Sequence, residues 1–396
     1  MRRKRVLVYV QHLLGIGHLV RAAALARGLC AQGLEVVLAS GGRPVPGLRT
    51  GDARLVQLPP AAAADLSFRT LVDADGQAID ERWKRARADA LFDAWRAFEP
   101  HALIIELFPF GRRQMRFELL PLLDAARTAA RRPVIVSSVR DILGGGQRDV
   151  ARQDAMLALF ERHFDHLLVH GDPALVPFER TFVHAARLGG RLHYTGYVVD
   201  AAPADGSAGR GEVIVSAGGG AVGLRLMAEA IRARPLTALA QRTWRLLAGV
   251  NVDDDALRAL GELAAEHGGA GVVIERARPD FATLLANCEL SVSQAGYNTT
   301  VEILQAGTKA VAVPFAAGGE TEQTLRARLL AARGRIELVE DPALDARTLA
   351  AAIDRAALRP RPGRDGIDLD GARRSAKFVA DWVAERDPDR AGEVAW

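Results

Sequence analysis

The residues with chemical potential in this 396-residue chain fall in a few short runs. Gly15-Ile-Gly-His18 follows the apolar run Val6 to Val10 and opens a helical pattern. A helix N-terminus opposes protonation of an imidazole, so His18 would be a neutral general base near pH 7, or else a helix-start residue bonded to backbone. Other polar residues stand where strands of the first half should end: Glu106 with Arg112 and Arg113, Arg140 with Asp141, and His170 with Asp172. A carboxylate there, Glu106 or Asp141, could orient His18 or take the proton itself, and the arginines suit an anionic substrate. Ion pairing on loops is the alternative reading for each.

In the second half, Gly218-Gly-Gly220 follows a β-branched run and could let backbone N–H groups approach an anion, although a tight turn needs glycine as well. The most informative segment runs from Cys288 to Arg326. A strand should end at Ser293, and Gln294-Ala-Gly-Tyr-Asn-Thr-Thr-Val-Glu302 leads into a helix, with Asn298 and Thr299 expected at capping positions. Such a helix start suits a diphosphate, and Glu302, one turn in, could reach the hydroxyls of a ribose or serve as a capping-box or surface residue.

These residues need elements to position them, and the pattern alternates β-branched runs with Ala/Leu/Arg segments at helical period, which predicts βα units and parallel sheets. Strands are expected at 5–10, 35–39, 54–57, 102–105, 134–137 and 166–169, with helices such as 18–31 and 81–98 between them. The same grammar restarts after Gly196, with strands at 213–216, 245–248, 272–275, 290–293 and 310–313 and a closing helix near 371–385 after the Pro/Arg/Gly-rich stretch 359–364. The expectation is α/β: two Rossmann-like doubly wound domains, residues 1–198 and 212–368, facing a cleft. Residues 199–211 would be a flexible linker, and a closing helix and tail, 369–396, would return to the N-terminal domain.

The 288–326 segment resembles the nucleotide-sugar signature of inverting glycosyltransferases with the two-Rossmann (GT-B) fold. Gly296, Asn298, Thr299 and Glu302 fall in step with the His-x-Gly-x-Asn-Ser-x-x-Glu run of the UDP-glycosyltransferases, and Ala306 to Phe315 resembles the strand-and-proline element that follows. The bacterial N-acetylglucosaminyltransferases that make the lipid-linked peptidoglycan precursor share this likeness, as does a related group of uncharacterised bacterial predicted glycosyltransferases. The resemblance implies that Glu302 binds ribose and that Asn298 and Thr299 with Gly218, Gly219 and Gly220 hold the diphosphate. It further implies that Glu322 and Gln323 face the sugar, and that Gly15 and Gly17 form an acceptor-side loop before His18. Gln294 stands where many relatives carry a histidine, and the loop before Glu322 differs in length from the peptidoglycan enzymes.

The implied reaction is hexosyl or N-acetylhexosaminyl transfer from a nucleoside-diphosphate sugar, UDP favoured, to an acceptor hydroxyl with inversion. A sugar-nucleotide 2-epimerase and a non-catalytic nucleotide-sugar binder are the rivals. A dehydrogenase is disfavoured, because Val20 replaces the third fingerprint glycine and Ala39-Ser-Gly-Gly42 lacks the ribose-binding acid. No metal is expected, since Asp253-Asp-Asp255 reads as a helix start, nor a further cofactor. A net charge of only +4 with 6% aromatic residues argues against nucleic acid. Cys30 and Cys288 are expected in the core. No run reaches the roughly 18 apolar residues of a membrane span. A cytoplasmic location is expected, with peripheral contact at the inner membrane face if the acceptor is lipid-linked, for which Leu107 to Phe110 beside Arg112 and Arg113 would serve.

Overall fold

The computed structural model describes residues 3–65, 70–144, 149–200, 204–217, 223–249, 252–267, 269–316, 321–363 and 366–386. The chain divides into two units: unit 1 comprises Met1–Val198 with Asp368–Trp396, and unit 2 comprises Val199–Ile367.

Unit 1 opens with β1 (Arg5–Val10), α1 (Gly17–Ala31), β2 (Glu35–Ser40) and β3 (Arg54–Gln57). A small antiparallel pair, β4 (Ala62–Ala63) and β5 (Leu71–Val72), precedes α2 (Glu81–Phe98), β6 (Ala102–Glu106), α3 (Arg116–Thr128) and β7 (Val134–Arg140). Then come α4 (Val150–His163), β8 (His166–His170), α5 (Ala185–Leu188) and β9 (Leu192–Tyr194). Among the described residues the main sheet has seven parallel strands in the order β3-β2-β1-β6-β7-β8-β9. Alternate side chains cover its two faces, which accounts for strands that read as continuous apolar runs. Leu7, Tyr9, Leu103, Ile105 and Ile135 share one core with residues of α2, α3 and α4. Val6, Val8, Val10, Ile104 and Val136 share the other with α1 and with the closing helix.

Unit 2 contains β10 (Val213–Ser216), α6 (Leu224–Ala233), β11 (Trp244–Ala248), α7 (Asp254–Glu266), β12 (Val272–Arg276), α8 (Phe281–Asn287) and β13 (Leu290–Ser293). It continues through α9 (Tyr297–Ala306), β14 (Ala310–Ala312), α10 (Glu322–Ala332), β15 (Glu337–Leu338) and α11 (Ala346–Leu358). Its described sheet is parallel throughout, ordered β12-β11-β10-β13-β14-β15. Both sheets therefore carry the strand-order reversal of a doubly wound fold, between β1 and β6 in one and between β10 and β13 in the other. Ligands of open α/β sheets bind beyond the carboxyl ends of the strands at such a reversal.

The closing helix α12 (Gly371–Glu385) belongs to unit 1, where Ala376, Val379, Trp382 and Val383 join the α1 core. Gly28 of α1 sits so close that an added Cβ would stand 2.8 Å from the carbonyl oxygen of Ala372. The Trp382 ring stacks on His166 at 3.7 Å between centroids, and Arg386 donates to the Pro133 carbonyl at 2.7 Å.

Two expectations are corrected. Residues 204–211 are not a free linker, because Asn287 Nδ2 of α8 donates to the carbonyls of Gly206 and Ala208, each at 3.0 Å. Gly209 has φ +82°, and a Cβ there would meet the Leu284 carbonyl at 2.8 Å, so this glycine serves docking on α8. Asn298 and Thr299 are not caps either: Gly296 is the N-cap of α9, which puts them at the second and third helical positions. The turn from β13 takes only Gln294, Ala295 and Gly296, so the helix begins earlier than the polar side chains suggested.

Candidate functional site

In unit 1 the β1–β6 reversal brings together the ends of two segments far apart in sequence. His18 is the second residue of α1 and Glu106 the last of β6, and His18 Nδ1 lies 2.8 Å from Glu106 Oε1. Arg21, one helical turn beyond His18, donates through Nη2 to the same carboxylate oxygen. The pairing is buried, with His18 15% and Glu106 2% exposed. Glu106 Oε2 has no hydrogen-bond partner among the described residues.

Electrostatics fix the protonation states. Burial pushes the His18 imidazole down to about 3, with the Arg112 and Arg140 charges adding to the effect against the opposing pull of Glu106. Burial alone would raise the Glu106 carboxyl, but His18 and Arg21 bring it to about 2. The consistent arrangement is a neutral imidazole donating Nδ1–H to an ionised carboxylate that Arg21 neutralises. Nε2 is then the basic nitrogen.

The remaining polar residues of the first half divide. Arg112, with φ +56°, donates Nε to the Gln11 carbonyl at 2.7 Å, which ties the segment after β6 to the end of β1. Arg113 is exposed. His170, pushed down to about 3 by burial, lies between Ser138 Oγ at 2.8 Å and Thr195 Oγ1 at 2.9 Å. Asp141 is buried and accepts from the Tyr197 hydroxyl at 3.2 Å. Asp172 accepts the N–H groups of Ala174 and Asp368. Of the two carboxylates expected to orient His18, the structure thus pairs Glu106 with it.

Behind this site lies a buried network that spacing did not reveal. Arg87 and Glu118, both 0% exposed, pair at 2.8 Å; Arg87 also donates to Gln11 Oε1 at 2.8 Å and to the Gly41 carbonyl at 3.0 Å. Gln11 in turn donates Nε2 to the carbonyls of His12 and Ala61. A side chain at Gly41 would collide with Arg87 and Gln11, and one at Gly42 with the His12 ring. These bonds hold the chain that leaves β1 toward His18.

In unit 2, α9 starts where β13 ends, beside the β10–β13 reversal. The glycine turn Gly218, Gly219 and Gly220 lies outside the described residues. The N-cap Gly296 supplies no side-chain bond, and among the described residues a Cβ there would meet nothing within 4 Å. Asn298, Thr299 and Glu302 lie half-buried on α9. Arg326 pins the turn: its Nη1 donates to the Ala295 carbonyl at 3.0 Å and its guanidinium lies 5.6 Å from the Tyr297 ring centroid. Glu322, expected to face a sugar, is buried and accepts from Arg326 at 2.8 Å, whereas the Gln323 Oε1 accepts the Phe315 N–H at 3.0 Å. Asp253 caps α7 through the Ala256 N–H, and Asp254 and Asp255 pair with Arg276 and Arg258, which occupies that acidic run locally.

Arg21 and Arg326 were the missed partners. The signal was present in each case: an arginine three residues after His18 in a largely apolar helix, and one four residues after Glu322, on the same helical face.

Comparison with known proteins shows what the chain is similar to. Residues 263–363 match the glycosyltransferase family 28 C-terminal domain. The UDP-N-acetylglucosamine–N-acetylmuramyl-(pentapeptide) pyrophosphoryl-undecaprenol N-acetylglucosamine transferase of Thiobacillus denitrificans is 31% identical over 267 residues, 67% of this chain and 66% of the relative. Its namesake from Granulibacter bethesdensis is 28% identical over 371 residues, 91% of this chain and 87% of the relative. In the Xanthomonas axonopodis namesake the match spans only 34% of the relative's length. The solved structure of Acinetobacter baumannii MurG superposes with a TM-score of 0.57 at 16% identity, covering 96% of this chain and 99% of that one.

Proposed function

The chain is a GT-B-fold relative of the MurG-type, family 28 glycosyltransferases, and from that premise we propose that it transfers a hexosyl or N-acetylhexosaminyl group from a UDP-sugar to an acceptor hydroxyl with inversion. The observation that carries the reading is the glycine-capped start of α9 at the strand-order reversal of unit 2, inside the stretch that matches family 28. Backbone N–H groups there, with Asn298 and Thr299, suit a diphosphate; Glu302, one turn in, suits the ribose hydroxyls. Glu322 acts through Arg326 to hold the turn, which leaves the Gln323 amide for the sugar. The glycines 218–220 are assigned to the diphosphate by the same reading.

In unit 1, His18 Nε2 takes the proton of the acceptor hydroxyl as that oxygen bonds to the anomeric carbon. The bond from that carbon to the phosphate oxygen breaks, and the nucleoside diphosphate leaves with the electron pair. Glu106 holds the imidazole in the tautomer that frees Nε2 and stabilises the imidazolium that forms. Arg112 and Arg140, whose charges bear on His18, suit an acceptor with an anionic group. Donor departure is assigned to backbone dipoles without a divalent ion. The relatives' name specifies a lipid-linked acceptor, and for this chain we assign a cytoplasmic setting at the inner face of a bacterial membrane.

Thermal stabilisation by UDP, GDP, dTDP and ADP tests the donor site, because a ligand that binds the folded state alone raises Tm. UDP should stabilise the wild-type protein and fail to stabilise Glu302→Ala. An equal response in the variant would remove Glu302 from the donor site.

A further inference from the structure

The ladder that joins β1, β2 and β3 ends at Val10, Ser40 and Gln57, and three loops leave the sheet there side by side. Side chains reach the carbonyl groups of these loops. Arg87 of α2 donates to the carbonyls of Pro59 and, at 3.0 Å, Gly41, and Gln57 Nε2 donates to that of Gly42 at 2.8 Å. Gln11, the first residue after β1, donates Nε2 to the carbonyls of His12 at 2.8 Å and Ala61 at 2.9 Å, while its Oε1 accepts from Arg87. Its own carbonyl anchors Arg112 Nε at 2.7 Å. Gln11 thus joins the buried network to the segment after β6.

The arrangement adds little stability for the charge it buries. Arg87 and Glu118 are both 0% exposed, and the desolvation of such a pair offsets most of its attraction, so apolar side chains of the same size would hold the fold as well. What the pair supplies is direction. Both oxygens of Glu118 hold the guanidinium, Nε at 2.8 Å and Nη2 at 3.0 Å, and the planar fork then fixes Gln11 in one orientation. Seven residues on, the same connection delivers His18. The charged groups that bear on its imidazole are Glu106 at the end of β6, Arg112 in the segment after it and Arg140 at the end of β7, with Arg21 of α1 on the same Glu106 oxygen. Gln11 anchors one of them directly.

We propose that Gln11 is a positioning residue for the reaction assigned to His18: held by Arg87, it fixes the β1–α1 connection and the Arg112 anchor, and so keeps the imidazole in its buried place beside Glu106. The kinetic part of the proposal rests on the reading of His18 as the base.

Two measurements on the full chain keep the proposal and that reading apart. NMR of 13C-labelled histidine, with His18 assigned by its loss in His18→Gln, follows the ring as pH is varied and needs no substrate. Release of UDP from UDP-N-acetylglucosamine, with water as acceptor, gives kcat and KM. Gln11→Met nearly keeps the side-chain volume and leaves no charge unpaired, because Arg87 retains Glu118. The wild-type His18 ring should stay neutral down to about pH 5, whereas in Gln11→Met it should titrate above that pH. The same variant should lower kcat at least about tenfold at unchanged KM, since a shift of about 1 Å is enough for such a loss. Arg87→Lys keeps the charge without the fork and should move both readouts the same way. Phe98→Leu, a core change at the last residue of α2, should lower Tm and move neither. If the wild type releases no UDP, the reading of His18 fails, and the titration still decides the role of Gln11. The proposal is overturned by an unmoved His18 titration in both network variants, by an equal shift in Phe98→Leu, by an unchanged kcat in an active protein, or by loss of folding in both network variants.

Discussion

His18 differs from an ordinary surface histidine because burial removes water from its charged form and Arg112 and Arg140 add repulsion. A base must be unprotonated to act, so a pKa lowered to about 3 keeps His18 competent far into acid. The acid limb of kcat/KM should therefore lie below about pH 5, not near the unperturbed 6.5 of histidine. His18→Ala should lower kcat about 10²- to 10⁴-fold and leave UDP affinity unchanged. Steady-state kinetics across pH check both, and a half-maximal rate near pH 6.5 would contradict the buried-base assignment. The sequence exposed His18 and Glu106 through their places after strands, but it did not couple them. That pairing depends on which strands are neighbours, a property of sheet order that no local spacing encodes.

At the scale of elements, glycine separates packing from access. Gly296→Ala adds a methyl group that meets none of the described residues within 4 Å and should cost about 1 kcal/mol or less in stability through a weaker N-cap. If a diphosphate sits at the start of α9, the same change should weaken UDP binding at least about tenfold. Paired denaturation and titration would show the split, and parallel losses would argue that the helix start is merely structural. Gly28→Val has the opposite profile. Its Cβ would press on the Ala372 backbone at 2.8 Å, so α12 must shift, with an expected loss of about 1–3 kcal/mol, while UDP affinity stays unchanged. The long strands and the helices at 81–98 and 371–385 were legible because their apolar periods are long. The three-residue β9 and two-residue β15 were not, since a pair of residues has no period and neighbouring strands alone define them.

For the whole molecule, several histidines titrate as a group. His18 and His170 are held at about 3 and His166 at about 4, in each case chiefly by burial, against 6.5 for the free side chain. Between those values the unfolded chain binds more protons than the folded one. Stability is therefore fully present above pH 6.5 and declines as pH falls toward 4 and below. Thermal melts from pH 8 to pH 4 should show Tm falling through that window, and a flat profile would mean that these rings are better hydrated than the structure indicates. The two-unit division could be read from the repeat of strand, glycine turn and helix, but the docking of residues 204–211 on α8 could not. Their small, polar composition describes a free chain equally well until Asn287 and the Leu284 backbone are placed beside them.

The return of α12 to α1 also sets an order of completion during synthesis. A ribosome releases the chain from its amino end, so the contiguous unit bearing Glu302 has all its residues once 367 has emerged. The face of β1 and α1 that Val379 and Trp382 cover must wait until the closing helix follows. The unit that carries His18 is begun first and finished last, and a nascent chain halted just before residue 371 would hold every residue of unit 2 while the core between β1 and α1 in unit 1 still lacked its closing helix.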